Sequence, residues 1–418
     1  MKEFLYDLLK DELKPATGCT EPIAIAYAAS LAKKEVGAEA VTKINISASV
    51  NIIKNTLGVT IPGTELIGID IAAALGAQIQ PEKKFELLKD LTDQDIKKAV
   101  AMVKEKKVNF EISGSHKKLY IEVKIETETS YAKVVIEDEH DFITLIETNA
   151  QIRYKAEDHK AGHKFDLSEI DLKEIWNFAQ EADTNQLGIV KESITMNRIL
   201  AEDGLKKHYG MDVGKSIYQP GLEKVSSSTY PVALAAAASD ARMSGSKHSA
   251  MSNSGSGNQG ITATLPVIAF FETSGDENEE KLVRAVTLSH LVSIYVKSKV
   301  GRLTPICGAN IAGMGASAGI TYLQGGKIIE YYASIQNMIG NVSGMICDGA
   351  KPGCAMKVAT SVSAALMASS LAMKGISIGS FQGIVSDHVE KSIDNFSRVA
   401  IEGFSEADKT ILDIMIRR

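Results

Sequence analysis

Three of the four cysteines lie in short Gly- and Pro-containing breaks between predicted helices, and these are Cys307, Cys347 and Cys354. A structural cysteine usually replaces a small hydrophobic residue inside a helix or strand. A cysteine that binds a metal needs a turn that frees its sulfur and directs nearby backbone N–H groups toward it. The positions of these residues therefore indicate a shared metal site, and three unrelated thiols are the alternative.

The spacing of these cysteines bears on the kind of metal. Zinc sites favour closely spaced cysteine pairs and four protein ligands. Here the closest pair, Cys347 and Cys354, is separated by six residues, and Cys307 lies far upstream. Three thiolates suit a four-iron cluster with one open iron, because the vacant position could bind a substrate. The spacing alone suggests such a cluster without establishing it.

The fourth cysteine, Cys19, stands immediately before a predicted helix that ends near Gly37. Free N–H groups and the helix dipole at such a position stabilise a thiolate. Cys19 is therefore a candidate base, nucleophile or displaceable fourth iron ligand. The alternative is a thiol at a turn that has no role.

A glycine-rich segment at residues 253–260 leads into another predicted helix. It contains the G-x-G-x-x-G pattern, but the nucleotide-binding form of this pattern follows a hydrophobic strand. The residues before it are polar, so we predict no strand there. Serine, asparagine and glycine at a helix start are typical of a carboxylate site, and a flexible surface loop is the alternative. The candidate substrate-binding residues are Ser254, Gly255, Gly257 and Asn258.

The elements that must position these residues change character along the chain. Two helices are predicted within residues 1–40, and a half-buried strand with alternating apolar residues begins at Lys43. Further helices precede four strand-like runs at 108–147, whose short connections predict an antiparallel meander. The predicted helices beyond a charged linker (154–164) begin at Ser168 and then span about 184–208, 232–242, 260–271, 281–299, 328–339, 355–373 and 382–402.

These elements predict an α+β fold. We expect an N-terminal α+β part with a mainly antiparallel sheet, followed by a compact all-helical domain that carries the cysteine site. The predicted units are 1–40 with Cys19, 41–160 as an α+β domain, and 161–418 as the helical catalytic domain.

Composition and charge argue against several classes of function. The 418 residues carry a formal net charge of −6 without a basic patch, so we expect no nucleic-acid partner. No run of Lys and Arg indicates binding to an anionic membrane, and the first 14 residues predict an amphipathic helix, not a signal peptide. We therefore expect a cytoplasmic protein without a membrane partner, whose cysteines are thiols. The sequence permits a homo-oligomer.

Four stretches together carry a resemblance to a known family. They are Lys14–Pro22, Ser254–Gly260, Ile306–Asn310 and Cys347–Cys354. Over essentially its whole length the chain resembles the iron–sulfur L-cysteine desulfidases, many of whose members are uncharacterised. The helical part is also similar to the α-region of bacterial iron–sulfur L-serine dehydratases, which share the three-cysteine layout with different spacing.

The resemblance implies a [4Fe–4S] cluster held by Cys307, Cys347 and Cys354, and a catalytic role for Cys19. The implied reaction converts L-cysteine and water to pyruvate, ammonia and hydrogen sulfide without pyridoxal phosphate. A small amino acid is thus the expected substrate. We expect Cys19 to remove the α-proton while the loop at 254–258 holds the carboxylate.

Two alternatives to the desulfidase reading stay open. The first is an iron–sulfur L-serine dehydratase. Those enzymes carry a C-terminal cysteine at the open iron, and this sequence ends without one, which favours the desulfidases. The second alternative is a non-catalytic zinc or iron–sulfur protein in which Cys19 is incidental.

Overall fold

The N-terminal part of the chain folds into a six-stranded sheet and the helices that pack against it. The computed structural model describes residues 2–156, 165–167, 170–380 and 382–417. Its elements up to residue 156 are α1 (Lys2–Glu12), β1 (Pro15–Thr17), α2 (Thr20–Val36), β2 (Lys43–Ala48), α3 (Val50–Thr56), α4 (Ile69–Gly76), a 3-10 helix (Pro81–Asp90), α5 (Asp93–Lys104), β3 (Val108–Ile112), β4 (Tyr120–Glu126), β5 (Tyr131–Glu137), β6 (Ile143–Thr148) and β7 (Gln151–Lys155).

The strand order in this sheet is β3-β2-β4-β5-β6-β7. All neighbours from β2 to β7 are antiparallel, which confirms the mainly antiparallel sheet. The meander does not begin at Val108 as predicted, because β3 lies at the edge and runs parallel to β2. Helices α3–α5 connect these two strands, and parallel neighbours need such a long crossover.

Strand β7 includes Tyr154 and Lys155 of the predicted linker, and residues 157–164 of that linker lie outside the described residues.

The second part of the described chain is helical apart from one three-residue strand, in agreement with the predicted α+β class. Its elements are α6 (Leu172–Glu181), α7 (Gly188–Lys206), α8 (Val213–Ile217), α9 (Leu222–Val225), α10 (Tyr230–Met243), β8 (Ser249–Met251), α11 (Gly257–Ser274), α12 (Glu279–Val300), α13 (Gly308–Leu323), α14 (Ile328–Val342), α15 (Cys354–Ala372), α16 (Val389–Arg398), a π-helical turn (Val399–Gly403) and α17 (Ala407–Ile416).

Helix α13 is missing from the sequence prediction, although it packs against α11, α12, α14 and α15. Its sequence is rich in glycine, which lowers intrinsic helix propensity by about 1 kcal/mol per residue. Tertiary packing explains the glycines. A Cβ at Gly315 would lie 3.0 Å from the carbonyl carbon of Ser289 on α12, and closer still to its oxygen. Close backbone approach therefore requires glycine at a position where propensity alone argues against a helix.

The chain builds two main hydrophobic cores. One lies between the sheet and helices α2–α5, and the other lies inside the helical part. Helix α1 places Leu5 and Leu9 in the helical core, whereas α2 places Ile23 and Ile25 in the sheet core. The predicted unit 1–40 thus contributes to both. The boundary at 160/161 lies outside the described residues, and the domain limits stay a prediction.

A short ribbon joins the two parts next to Cys19. Strand β1 pairs antiparallel with β8, and Thr17 lies opposite Ser249. The prediction of no strand before the glycine-rich loop is therefore wrong, because β8 precedes it. A three-residue antiparallel strand differs from the parallel βαβ unit of a nucleotide site. The ribbon instead places the turn at Cys19 beside the loop that follows Met251.

Helix α15 is the one described helix that is long and apolar enough to cross a membrane. Its mean hydropathy is 1.3, and 44% of the most apolar window is buried inside the protein. It packs against α10, α13 and α14. The helix predicted at 355–373 is therefore present and about half buried.

Candidate active site

All four cysteines line one cavity of about 100 Å³. Cys307 directly precedes α13, Cys354 is the first residue of α15, and Cys347 lies in the loop between α14 and α15. Cys19 directly precedes α2. The structure thus brings together residues that are more than 300 positions apart in the sequence.

Backbone pairing holds the cysteine loops in place. The N–H of Cys307 donates to the carbonyl of Met345 at 2.9 Å, and the N–H of Cys347 donates to the carbonyl of Pro305 at 2.6 Å. From the N-terminal part, the buried Lys54 ammonium donates to the Cys347 carbonyl at 3.0 Å. The loop conformation is therefore supported by both parts of the chain.

The three predicted ligand thiols interact with one another electrostatically. Burial and the neighbouring Cys347 and Cys354 raise the pKa of Cys307 to about 12. All three side chains are half-buried and none forms a disulfide. Thiolates are soft donors that suit iron–sulfur clusters and zinc.

The arrangement of these thiols bears on which metal group fits. Within the described residues, no three His, Cys, Asp or Glu side chains are arranged to hold a metal ion. A zinc ion needs every sulfur ~2.3 Å from one centre. In a four-iron cluster each thiolate instead binds a different iron. Three thiols that share a cavity without being arranged around one ion are compatible with a cluster whose separate irons each take one thiolate.

Four helices begin at this cavity, and their first residues contribute to its lining. They are α2, α11, α13 and α15. Each helix start presents free N–H groups and the positive end of a dipole. The cavity therefore favours negatively charged groups, both a thiolate-bound cluster and a substrate carboxylate.

Cys19 is at the predicted position but in an unexpected protonation state. Its Sγ donates a hydrogen bond to Oε2 of Glu21 at 2.9 Å. Burial and the Glu21 carboxylate raise the pKa of Cys19 well above its usual value. The expectation that the helix start stabilises a thiolate is therefore wrong for the resting side chain, because burial and a neighbouring negative charge outweigh the dipole.

Arg242 on α10 is a cavity residue that sequence reasoning missed. Its side chain is buried, and Nη1 donates to Oδ1 of Asn258 at 3.1 Å. Its Nε is buried without a hydrogen-bond partner, and no carboxylate pairs with it among the described residues. A buried, unpaired guanidinium is costly unless an anion binds to it. Arg242 is thus a candidate for holding a carboxylate.

The glycine-rich loop supports this arginine. Gly255, Ser256 and Asn258 line the cavity. A Cβ at Gly257 would lie 2.5 Å from Cζ of Arg242, so glycine is needed there to admit the guanidinium. Ser254 is buried, and its hydroxyl donates to Oδ1 of the neighbouring Asn253 at 2.9 Å.

Of the four predicted substrate-binding residues, Gly255 and Asn258 therefore face the cavity. Gly257 supports Arg242, and Ser254 hydrogen-bonds within the loop.

The loop is anchored by a buried histidine on α12. Nδ2 of Asn253 donates to the backbone carbonyl of His290 at 3.2 Å and lies 3.0 Å from Nδ1 of its ring. The other ring nitrogen lies 3.1 Å from Oγ of Ser193 and 3.2 Å from Oγ1 of Thr264. Burial lowers the pKa of His290 to about 3, so the ring is neutral. The loop is consequently a rigid element and not the flexible surface loop of the alternative reading.

Other charged groups near the site carry no signal in the sequence. Glu21 follows Cys19 by two residues, and His140 reaches the site from the connection between β5 and β6. Lys297 is buried on α12, and burial lowers its pKa to about 8 while Cys347 and Cys307 raise it. These residues are far apart in sequence and become neighbours only in the fold.

Comparison with known proteins identifies the family of the chain. The family model for the serine dehydratase alpha chain matches residues 82–413, a segment that contains Cys307, Cys347 and Cys354. A UPF0597 protein of Clostridium perfringens is 46% identical over 100% of this chain and 99% of its own length. UPF0597 proteins of Bacteroides thetaiotaomicron and Shewanella pealeana are each 39% identical, over 99% and 100% of this chain and 97% and 100% of their own. The chain belongs to the serine dehydratase alpha chain family.

Proposed function

We propose that this protein is a lyase that eliminates the β-substituent of L-cysteine, giving pyruvate, ammonia and hydrogen sulfide. The observation that carries the proposal is one cavity lined by three thiols, a fourth thiol paired with a carboxylate, and a buried arginine that pairs with no carboxylate in the described part of the chain. Each has a role in the proposed elimination: the three thiols would hold the cluster, the fourth would act as the base, and the arginine would bind the carboxylate. Relatedness to serine dehydratases supports the reaction class.

Cys307, Cys347 and Cys354 would hold a [4Fe–4S] cluster, to which three protein thiolates leave one iron without a protein ligand. When bound, such a cluster supplies a Lewis acid for the departing β-substituent. A thiolate leaving group suits this chemistry well, because soft sulfur ligands have high affinity for iron in such clusters.

Arg242 and Asn258 would position the substrate through its carboxylate. The guanidinium can donate from its unpaired Nε, and the Asn258 side chain already orients Nη1. Charge-assisted hydrogen bonds of this kind are short and directional. They also make the α-proton more acidic, since negative charge that develops on the carboxylate in the transition state is stabilised.

Cys19 would take the α-proton after giving up its own proton. In the resting site it is a thiol bonded to Glu21, so the carboxylate is the nearest acceptor for that proton. Burial of the cavity keeps bulk water from competing for these groups. The aminoacrylate product would leave and hydrolyse in solution.

The test is an anaerobic assay of the cluster-loaded protein with L-cysteine and, in parallel, L-serine. We expect equal amounts of pyruvate and sulfide from L-cysteine, and loss of turnover in Cys19→Ala. Faster pyruvate release from L-serine would instead establish a serine dehydratase, the second candidate favoured by the family match. Release of pyruvate from neither amino acid would contradict the proposal and support a non-catalytic metal protein.

A further inference from the structure

The carboxylate of Glu21 lies at the centre of a buried hydrogen-bond network. Its Oε2 accepts from Sγ of Cys19 at 2.9 Å and from Oγ1 of Thr20 at 3.1 Å. Its Oε1 accepts from Nδ2 of Asn55 at 2.8 Å. Within the described residues these hydrogen-bond donors are all neutral, although Glu21 is only 7% exposed. A buried carboxylate held by neutral donors contributes little to stability and is typical of a functional site.

His140 lies near one oxygen of this carboxylate, Oε1, whereas Cys19 bonds to the other, Oε2. Nε2 of His140 is 4.0 Å from Oε1 of Glu21, and this buried atom has no hydrogen-bond partner among the residues that the structure describes. Motion of about 1 Å would bring the two atoms into hydrogen-bond distance. The other charged groups that face the imidazole are Arg302, Asp141 and Glu139. Burial lowers the pKa of His140, so the resting ring is neutral, whereas the neighbouring carboxylates of Glu21, Asp141 and Glu139 raise this pKa and favour the protonated ring.

A second cavity, of about 40 Å³, shares two lining residues with the catalytic cavity. Its lining includes His140, Glu139 and Asp141, whereas Glu21 lines the catalytic cavity. Thr20 and Gly255 line both, and Oγ1 of Thr20 donates to the Gly255 carbonyl at 3.2 Å. Glu21 lines the first cavity and His140 lines the second, so a proton that passes from Glu21 to His140 moves from one cavity to the other.

We propose that Glu21 and His140 carry the proton from Cys19 out of the catalytic cavity and into this second cavity. The proposal rests on the proposed function, in which the α-proton reaches Cys19 once per turnover. Arg242 lies near Cys19, and Lys297 lies near Glu21; within the described part of the chain, Glu21 is the carboxylate that acts on the thiol. In this scheme Glu21 and His140 are positioning residues for proton transfer, because neither touches the α-carbon.

Each step of the path conserves charge and protons. The Cys19 S–H bond breaks and its proton forms an O–H bond on Glu21, which leaves a thiolate. Glu21 passes this proton to Nε2 of the neutral His140, and the imidazolium releases the proton on its other nitrogen to water in the second cavity. The Cys19 thiolate then takes the α-proton from the substrate and becomes a thiol again. The net result is one α-proton exported per turnover.

The first test measures the Cys19 thiol without relying on turnover. In the cluster-loaded protein three of the four cysteines would be ligands, so Cys19 is the remaining thiol, and iodoacetamide must enter the cavity to alkylate it. Glu21→Gln removes the negative charge and the acceptor that hold the proton on Cys19. We expect the pH at which alkylation reaches half its maximal rate to fall in Glu21→Gln, while amino-acid turnover falls about 100-fold, the lower end of what a positioned proton-transfer group contributes. An unchanged alkylation profile would overturn the Cys19–Glu21 link.

The second test concerns His140 and uses chemical rescue. We expect His140→Ala to lower kcat about 100-fold with little change in KM, and added imidazole to restore turnover with a dependence on pH. Pyrazole has the same ring shape but takes no proton near neutral pH, so it should not rescue. The exposed His116 provides the matched control, and His116→Ala should keep the wild-type kcat. Rescue by both rings would indicate that His140 only fills space, and a wild-type kcat in His140→Ala would remove it from the path.

The two proposals fail in distinguishable ways. If the loaded wild-type protein turns over neither L-cysteine nor L-serine, the proposed function is wrong, and the alkylation profile alone then decides the Cys19–Glu21 link. If the wild-type protein is active while Glu21→Gln and His140→Ala keep full turnover, the path is wrong and the proposed function stands.

Discussion

Substitution of Gly257 by alanine tests whether Arg242 must occupy its observed position. The new Cβ would lie 2.5 Å from Cζ and 2.9 Å from Nη2 of Arg242. Non-bonded carbon atoms prefer at least about 3.5 Å, so the guanidinium must move by roughly 1 Å. Such a shift exceeds what the 3.1 Å hydrogen bond from Nη1 to Asn258 can absorb. The substitution thus displaces the arginine without removing it.

The expected rise in KM follows from the charged hydrogen bond that the displaced Arg242 can no longer form. A hydrogen bond from a charged group contributes about 1.5–3 kcal/mol, which corresponds to roughly a 10- to 150-fold rise in KM for the amino acid. Stability should not fall for backbone reasons, because Gly257 is the first residue of α11 and alanine favours helix. The assay is steady-state turnover of the cluster-loaded protein, with iron content measured alongside.

A matched control is available at another helix start. Gly188 is the first residue of α7, and a Cβ there meets no atom within 4 Å. We expect Gly188→Ala to retain the wild-type KM. If Gly257→Ala also retained it, the assignment of Arg242 as the carboxylate-binding residue would be refuted.

Three further predictions concern stability. Lys54→Met should lower the free energy of unfolding, measured by urea denaturation, by about 3–5 kcal/mol. Lys54 Nζ lies 2.5 Å from Asp408, and its loss leaves that carboxylate without its buried cation. Lys409 pairs with Glu406 at the surface, so the control Lys409→Met should change the free energy of unfolding by less than about 0.5 kcal/mol. Gly315→Ala should lower the free energy of unfolding, measured by thermal denaturation, by about 1–3 kcal/mol, because the new Cβ would overlap the backbone of Ser289. The control is Gly344→Ala, whose Cβ would meet no atom within 4 Å and which should leave the stability unchanged. Burial lowers the pKa of His290 from 6.5 to about 3, so as the pH falls the unfolded chain protonates this histidine before the folded protein does. The neutral His290 therefore contributes fully to the free energy of unfolding above pH 6.5, and this contribution is lost progressively below pH 6.5. Between pH 7 and pH 5 this loss should reach about 2 kcal/mol in the wild type, and a His290→Gln variant should show a correspondingly smaller change.

The sequence predicted the elements whose structure depends on neighbouring residues along the chain. The alternation after Lys43 predicted a strand that the structure has at Lys43–Ala48. Gly37, with a positive φ of 73°, ends α2 where the sequence placed the helix end. Turn residues also located the cysteines in breaks between helices, and Cys354 lies where α15, predicted at 355–373, begins.

The features that could not be predicted depend on contacts between distant segments. Helix α13 contains glycines whose reason, close approach to α12, exists only in the folded protein. The edge position of β3 depends on where the crossover returns. Arg242 and His140 have ordinary sequence neighbours, and their burial beside the cysteine cavity arises from the packing of α10 and of the β5–β6 connection. The resting thiol at Cys19 likewise depends on burial that the helix position alone does not reveal.

The central claim is that Cys307, Cys347 and Cys354 together hold one iron–sulfur cluster, and that Cys19 does not. Its most direct measurement is the iron and acid-labile sulfide content of protein purified without oxygen, for the wild type and for each of the four single Cys→Ala variants. The account predicts about four iron atoms per chain in the wild type and in Cys19→Ala, and loss of the cluster in each of the other three. A full iron content in Cys307→Ala, Cys347→Ala and Cys354→Ala would contradict it.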